Sequence, residues 1–396
     1  MSEQKTHTTA LWISEKMAEI PPFLAMEIFE HARRLEEQGR RIVHLEVGEP
    51  DFDSPKVVCD AGVAAIRQGF THYTPSLGRI ELREAVAEFY QREYGVEIAS
   101  QRVVITQGSS AALVLAFAVL LDPGSEVLMT NPCYACYPKI VRVFEGRPRM
   151  VPVSERDGFQ WTPQALDRNL TDQTRIVVVN SPSNPTGTLL SAERLRQIVE
   201  QAEGKAMILS DEIYHGLVYS EKAHSVLEFS EDAIVVSGFS KRFAMTGWRL
   251  GYAILPEPLI RPFQSLQQNL YVSPQDFAQF AGIAALRNSL PEVEQMRREY
   301  DRRRKFVLGG LKELGLEPVV EPLGAFYVFV NISRFTDSVY DFCIELLETA
   351  GVAVTPGTDF GSQGEGFIRI AYTQSMEDLE EGFRRIRGFL AAKGRV

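Results

Sequence analysis

Residues 175–214 read RIVVVNSPSNPTGTLLSAERLRQIVEQAEGKAMILSDEIY. The segment opens on a short apolar run, 175–180, of a length and composition that suit a buried strand. A loop with two prolines and a glycine follows, then a stretch at 191–203 long enough for a helix. A second apolar run, 206–210, ends in Asp211-Glu212-Ile213-Tyr214. Strand, crossover helix and strand make a βαβ unit, which implies parallel pairing.

The same alternation extends outward from this segment. Apolar runs at 103–106 and 126–130 precede it, and runs at 233–237 and 251–255 follow. The expected fold class is therefore α/β, a mostly parallel sheet sandwiched by helices on both faces. Near residue 290 the pattern changes. A long charged helix is expected from just after Pro291 to about Leu314. Strands are expected at 325–331, 352–355 and 367–371, and a last helix near Ser375. Glu377 and Asp378 in its first turn suit the helix dipole. This tail reads as a smaller α+β domain. The expected division is a large domain over 51–288 and a small one over 1–50 plus 289–396, with a lid segment near the N-terminus. A length of 396 residues suits two domains at ~150 residues each. The six basic residues within 296–305 interleave with Glu299 and Asp301 and read as a solvated helix face.

Composition narrows the function classes. Hydrophobic residues at 45% and charged residues at 24% are ordinary for a globular chain and argue against general disorder. A net charge of −10 argues against a nucleic-acid backbone as partner, though not against a small anion in a local basic pocket. The longest apolar run, 111–121, is far short of the roughly 20 residues of a membrane span. The N-terminus lacks a signal pattern, and four cysteines are too few for a disulfide framework. These features read as a reduced, cytoplasmic protein. The Cys133/Cys136 spacing also admits a redox reading, which nothing else in the chain supports.

Five loops, each just past an expected strand, carry chemistry. In open α/β sheets ligands bind outside the carboxyl ends of strands. The sharpest loop is SKRFAMTGWRLG, 240–251. A lysine in a partly desolvated site with cationic neighbours is easier to deprotonate, and a neutral amine forms a Schiff base with an aldehyde. Ser240 and Arg249 could hold a phosphate by hydroxyl and charge-assisted hydrogen bonds. Taken alone, Lys241 reads more readily as a surface lysine, since lysines are mostly exposed. Asp211 can pair with a protonated ring nitrogen or serve as a helix N-cap. Tyr214 presents a phenol to the same region. The turn residues of 180–187 would aim the Asn184 amide, or mark a bare turn. Ser109 and Ser110 open an apolar helix whose N-terminus could bind phosphate, although the chain has no Gly-Lys-Ser/Thr P-loop ending. Tyr134, after Asn131-Pro132-Cys133, could stack on a planar ring. A nicotinamide dinucleotide site is disfavoured, because no GxGxxG follows a strand.

Taken in order, TQGSSAAL, NSPSNPTG, SDEIY and SKRFAMTGWRLG resemble the pyridoxal-phosphate-dependent aminotransferases of fold type I, classes I and II. The resemblance runs from VGEPDF at 47–52 to FIRIAY at 367–372. It implies pyridoxal 5'-phosphate as cofactor and Lys241 as the catalytic lysine that binds it covalently and later moves the proton. By the same resemblance, Asp211 faces the pyridinium nitrogen, and Tyr214 and Asn184 face the phenolic oxygen. Tyr134 stacks on the ring, and Ser109, Ser110, Ser240 and Arg249 form the phosphate cup. Tyr73 reaches the neighbouring subunit's phosphate in a homodimer. Arg369 grips the substrate α-carboxylate, with Gly48 beside it. The Asn184-Pro185 and Asn131-Pro132 bonds are expected cis.

The implied activity is transfer of an amino group between an amino acid and a 2-oxo acid by a ping-pong route. A lyase or decarboxylase on the same scaffold, such as a carbon–sulfur lyase, is the alternative. A non-enzymatic regulator is disfavoured, because the stretch before Gly48 is too short for the winged helix that class carries. Dedicated aspartate enzymes of one branch supply an arginine shortly before the stretch that here reads Tyr271-Val272-Ser273-Pro274. This chain has Gln267-Gln268-Asn269 there, and its candidate lid, 20–26, is apolar. A neutral or hydrophobic amino acid is therefore the expected donor.

Overall fold

In the computed structural model, which describes residues 12–220 and 222–393, the described residues form twelve strands. They are β1 (Val43–His44), β2 (Val103–Thr106), β3 (Glu126–Asn131), β4 (Arg147–Pro152), β5 (Thr174–Asn180) and β6 (Met207–Asp211). After them come β7 (Ile234–Gly238), β8 (Gly251–Ile254), β9 (Tyr327–Asn331), β10 (Val352–Ala353), β11 (Thr355–Pro356) and β12 (Phe367–Ala371). Seven of them make the main sheet, in the order β2-β8-β7-β6-β5-β3-β4. All neighbours are parallel except at β8, which pairs antiparallel with both β2 and β7.

The strands are apolar on both faces because both faces are covered. Successive residues of β5 show it. Val177 and Val179 enter one core with helices Ile80–Tyr94, Ala192–Ala202 and Asp276–Asn288. Ile176 and Val178 enter a second core with helices Ser109–Leu120, Cys136–Val143 and Glu257–Leu270. The expected sandwich is thus present. Sequence reading missed β4, one of the two edge strands of the sheet. Its two prolines cannot donate to a ladder, so the run does not read as a strand, yet an edge tolerates them.

Outside the main sheet, β11, β12 and β9 form an antiparallel sheet, and β1 pairs parallel with β10. The single run expected at 352–355 is divided between these two sheets. The charged helix is Leu290–Glu313, with proline in its first turn. Its basic residues pair along the helix, as Arg302 with Glu299 does. Not all are solvated, however. Arg303 and Arg304 are buried, the first against Asp51 and the second against Asp301 and Glu321.

The register brings the chemistry together. Asn180, the last residue of β5, lies opposite Asp211, the last of β6, and Asp211 lies opposite Val236 of β7. The loops after these three strands carry Asn184, Tyr214 and Lys241 to one end of the sheet.

Candidate active site

At that end lies a cavity of about 280 Å³. One wall is the N-terminus of helix Ser109–Leu120, where free backbone N–H groups and the helix dipole favour an anion. Gly108 precedes it with φ +84°, and a Cβ there would lie 2.8 Å from Arg249 Nη2. A Cβ on Gly251 would lie 2.6 Å from the Ser109 nitrogen. Both glycines let the 240–251 loop close onto the helix end. Arg249 is held there in the left-handed region, φ +51°, and its Nη1 donates to the Thr246 carbonyl at 2.9 Å.

Asp211 is buried beside this wall. Tyr137 Oη donates to its Oδ2 at 2.6 Å, and the Ile213 N–H donates to its Oδ1 at 3.2 Å. Burial raises its pKa to about 6 against the opposing pull of these two donors. Asn180 Nδ2 donates to the Asp211 carbonyl at 3.0 Å, tying the two strand ends together. Tyr134 meets Tyr137 edge-on, with ring centroids 5.3 Å apart, and Phe23 meets Tyr134 at 6.3 Å.

Lys241 Nζ donates to the Gly48 carbonyl at 2.7 Å. Burial lowers its pKa to about 8; Glu49 opposes that shift, while Arg369 and Arg249 add to it. The amine is therefore partly neutral near neutrality, as a Schiff-base lysine needs to be.

Arg369 is also buried. Its Nη1 donates to Asn184 Oδ1 at 2.9 Å, and its Nη2 donates to the Glu46 carbonyl and to Thr355 Oγ1. Its Nε is buried without a partner. The guanidinium lies 4.4 Å from the Tyr327 ring centroid. Asn184 Nδ2 reaches the Tyr214 hydroxyl at 3.5 Å, and that hydroxyl is 2.9 Å from the hydroxyl of Tyr327.

Eleven of the twelve residues singled out in the sequence thus line this cavity. The exception is Tyr73, 83% exposed on the surface and outside the lining. Both expected cis bonds are present, with a third, unexpected one at Ser181-Pro182. Cys133 and Cys136 are free thiols, and burial pushes both up, away from the thiolate that redox chemistry needs. Among the described residues no cluster of acidic, histidine or cysteine side chains could hold a metal. No described helix is long and apolar enough to cross a membrane.

Sequence reading missed Tyr137, Tyr327, Asn180, Glu49 and Thr246, all on the lining. Asn180 had a signal, as a polar residue ending an apolar strand. Tyr137 and Tyr327 had none, since each looks like an ordinary core tyrosine.

The family model described as "Aminotransferase class I and II" matches residues 40–386. The chain is 41% identical to a (5-formylfuran-3-yl)methyl phosphate transaminase of Methanocaldococcus jannaschii, over 96% of this chain and 99% of that one. It is also 41% identical to an aspartate aminotransferase of Pyrococcus horikoshii, covering 95% and 96%. An aspartate aminotransferase of Thermus thermophilus with maleate superposes with a TM-score of 0.91, at 38% identity, covering 94% and 98%. Sequence, fold and site agree, and the chain belongs to the class I and II aminotransferases, fold type I enzymes that use pyridoxal 5'-phosphate to exchange an amino group between an amino acid and a 2-oxo acid.

Proposed function

We propose that this enzyme transfers the amino group of a neutral or hydrophobic amino acid, with Lys241 as its catalytic residue. The observation that carries the reading is Lys241 itself: a half-buried amine whose pKa desolvation lowers to about 8, sharing one cavity with the buried Arg369.

The donor set suits pyridoxal phosphate. Ser109, Ser110, Ser240 and Arg249 surround a helix N-terminus that the Gly108 and Gly251 backbones leave open, a cradle for a phosphate. Asp211 is a buried carboxyl with no cation bonded to it among the described residues. A protonated ring nitrogen is the partner that would lower its pKa again and hold it ionised. Tyr214 and Asn184 offer donors to a phenolic oxygen, and Tyr134 an aromatic face. When bound, the cofactor supplies an electron sink for the carbanion that forms at the substrate α-carbon. Arg369 orients the substrate through its carboxylate, with two N–H groups that a lysine could not match. Lys241 Nζ then takes the α-proton as general base.

The preference for a neutral donor rests on the remaining lining. Lys241, Arg249 and Arg369 are its cations and each already has a role. Phe23, Ala25 and Met26 line the cavity with apolar surface. Gln267 and Gln268 bond to Ser76 and Asn269 to the Ser265 carbonyl, so none of them meets a second carboxylate in this chain. Some relatives are named for aspartate, which makes aspartate the decisive competitor. The test is kcat/KM for alanine, valine, phenylalanine and aspartate under one acceptor, pyruvate or 2-oxoglutarate. A tenfold lead for aspartate overturns the neutral-donor reading. Failure of any 2-oxo acid to regenerate the starting cofactor form overturns transfer in favour of lyase chemistry.

The division at 51–288 against 1–50 plus 289–396, a homodimer in which Tyr73 serves the partner's site, and a cytoplasmic location complete the proposal. The pairing of β1 with β10 supports joining the N-terminal segment to the tail.

A further inference from the structure

We infer that Tyr327 is a positioning residue that makes Tyr214 the donor toward the cofactor and braces the arginine that holds the substrate carboxylate. The inference deepens the reading above and rests on its placement of Tyr214 at the phenolic oxygen.

Four side chains close a ring of contacts. Arg369 Nη1 bonds Asn184 Oδ1 at 2.9 Å, and Asn184 Nδ2 reaches Tyr214 Oη at 3.5 Å. Tyr214 Oη bonds Tyr327 Oη at 2.9 Å, and the Tyr327 ring lies under the Arg369 guanidinium at 4.4 Å. All four residues are buried. Tyr327 is thus the one member that touches Arg369 with its ring and Tyr214 with its hydroxyl.

The hydroxyl contact has a direction once donors are counted. A phenol has one proton to donate and lone pairs to accept with. If Tyr214 gives its proton to an anionic phenolic oxygen, the Tyr327 hydroxyl has to donate to Tyr214. A hydrogen bond received strengthens the one given, by about 10–30% in condensed phase. Tyr327 therefore makes Tyr214 a stronger donor, which favours negative charge on the phenolic oxygen. That donated bond also draws charge away from the nitrogen that Lys241 would contribute to the bound cofactor and weakens the oxygen's hold on a proton there, so it lowers the nitrogen's proton affinity.

Tyr327 also abuts the seat of Lys241. A Cβ on Gly48 would lie 1.7 Å from Tyr327 Oη, so only glycine fits between that hydroxyl and the carbonyl that accepts from Lys241 Nζ. The charged and titratable groups acting on Lys241 are Glu49, Arg369 and Arg249. Those around the tyrosine pair are Arg369, Tyr134 and Tyr372, and Asp211 acts on Tyr134. None of these changes when one hydroxyl is removed, so a shift reports that hydroxyl.

The experiment is a pH titration of cofactor absorbance in the holoenzyme, for the parent, Tyr214→Phe, Tyr327→Phe and the double variant. Tyr214→Phe should raise the midpoint by about one pH unit, the scale of one hydrogen bond. Tyr327→Phe should raise it by about 0.3 unit, the cooperative fraction of that bond. The double variant should match Tyr214→Phe alone, because Tyr327 acts through Tyr214. Tyr327→Phe keeps the ring and should leave the KM of the amino donor within about twofold. Tyr327→Leu removes the ring and should raise that KM. If Tyr214→Phe leaves the midpoint unmoved, the placement of Tyr214 falls and the inference with it. If Tyr214→Phe shifts the midpoint and Tyr327→Phe does not, the inference alone is overturned. Additive shifts in the double variant also overturn it, since they would mean that Tyr327 acts by another path.

Discussion

Lys241 owes its lowered pKa to where its amine is placed. Burial disfavours the ammonium, and two nearby guanidinium groups disfavour it further. Cofactor-free protein should therefore capture an aldehyde faster as pH rises through about 8 and level off above it, where a surface lysine would go on accelerating toward its ordinary pKa of 10.5. Stopped-flow absorbance checks this. Lys241→Ala should show no covalent cofactor adduct by mass spectrometry after borohydride reduction, and should lose about 10³-fold or more in turnover. Adduct at full yield would show that another amine is the attachment point. At Asp211 the carboxyl is raised to about 6 by burial without a bonded cation. Asp211→Asn keeps the shape and removes the charge. It should slow exchange of the substrate α-proton with deuterium by about 10²-fold while changing cofactor retention much less. No helix follows Asp211 for it to cap, so an unchanged exchange rate would leave it only its turn contact with the Ile213 N–H.

At the scale of elements, helix Leu24–Glu37 carries Ala25 and Met26 into the cavity, yet its N-cap residue, Phe23, has no side chain able to cap it. The cap comes from far along the chain. Asp359 accepts from the Leu24 and Ala25 N–H groups at 3.1 Å each, and Lys139 lies 3.5 Å from the same carboxylate. Asp359→Ala should cost about 1 kcal/mol of stability, as loss of a helix cap does. Hydrogen exchange at 24–27 should rise, and KM for an apolar donor should rise more than kcat falls. Asp359→Asn, which keeps an acceptor, should recover most of both. Unchanged exchange in the alanine variant would show that the helix end is held by packing alone. No sequence pattern marks this cap, because its partners are 334 and 335 residues apart. The elements themselves were largely legible. β5, β6 and β7 appear within one residue of their expected positions, since each is a short apolar run with a loop signal behind it. β4 was not, because its prolines mask it and only its place at the sheet edge admits them.

At the scale of the whole molecule, Tyr73 is the residue that the single chain leaves outside its own site, 83% exposed. If it completes a partner's phosphate site, Tyr73→Ala should weaken cofactor affinity about tenfold, or about 1.4 kcal/mol. Mixed with Lys241→Ala chains, the defective proteins should then complement each other. The hybrid dimer holds one site with an intact lysine from one chain and an intact tyrosine from the other. Activity no higher than the sum of the two parents would show that Tyr73 does not cross.

The sequence by itself determined the parallel α/β sheet and the residues at its strand ends, Asn184, Asp211 and Lys241. Both are local properties: apolar runs fix the strands, and the chemistry follows each run by a few residues. Tertiary structure alone decided what surrounds them. Tyr137 meets Asp211 across 74 residues, and Tyr327 meets Tyr214 across 113. Those pairings arise from register and packing, which bring distant segments into hydrogen-bond distance without leaving any period or motif in the chain.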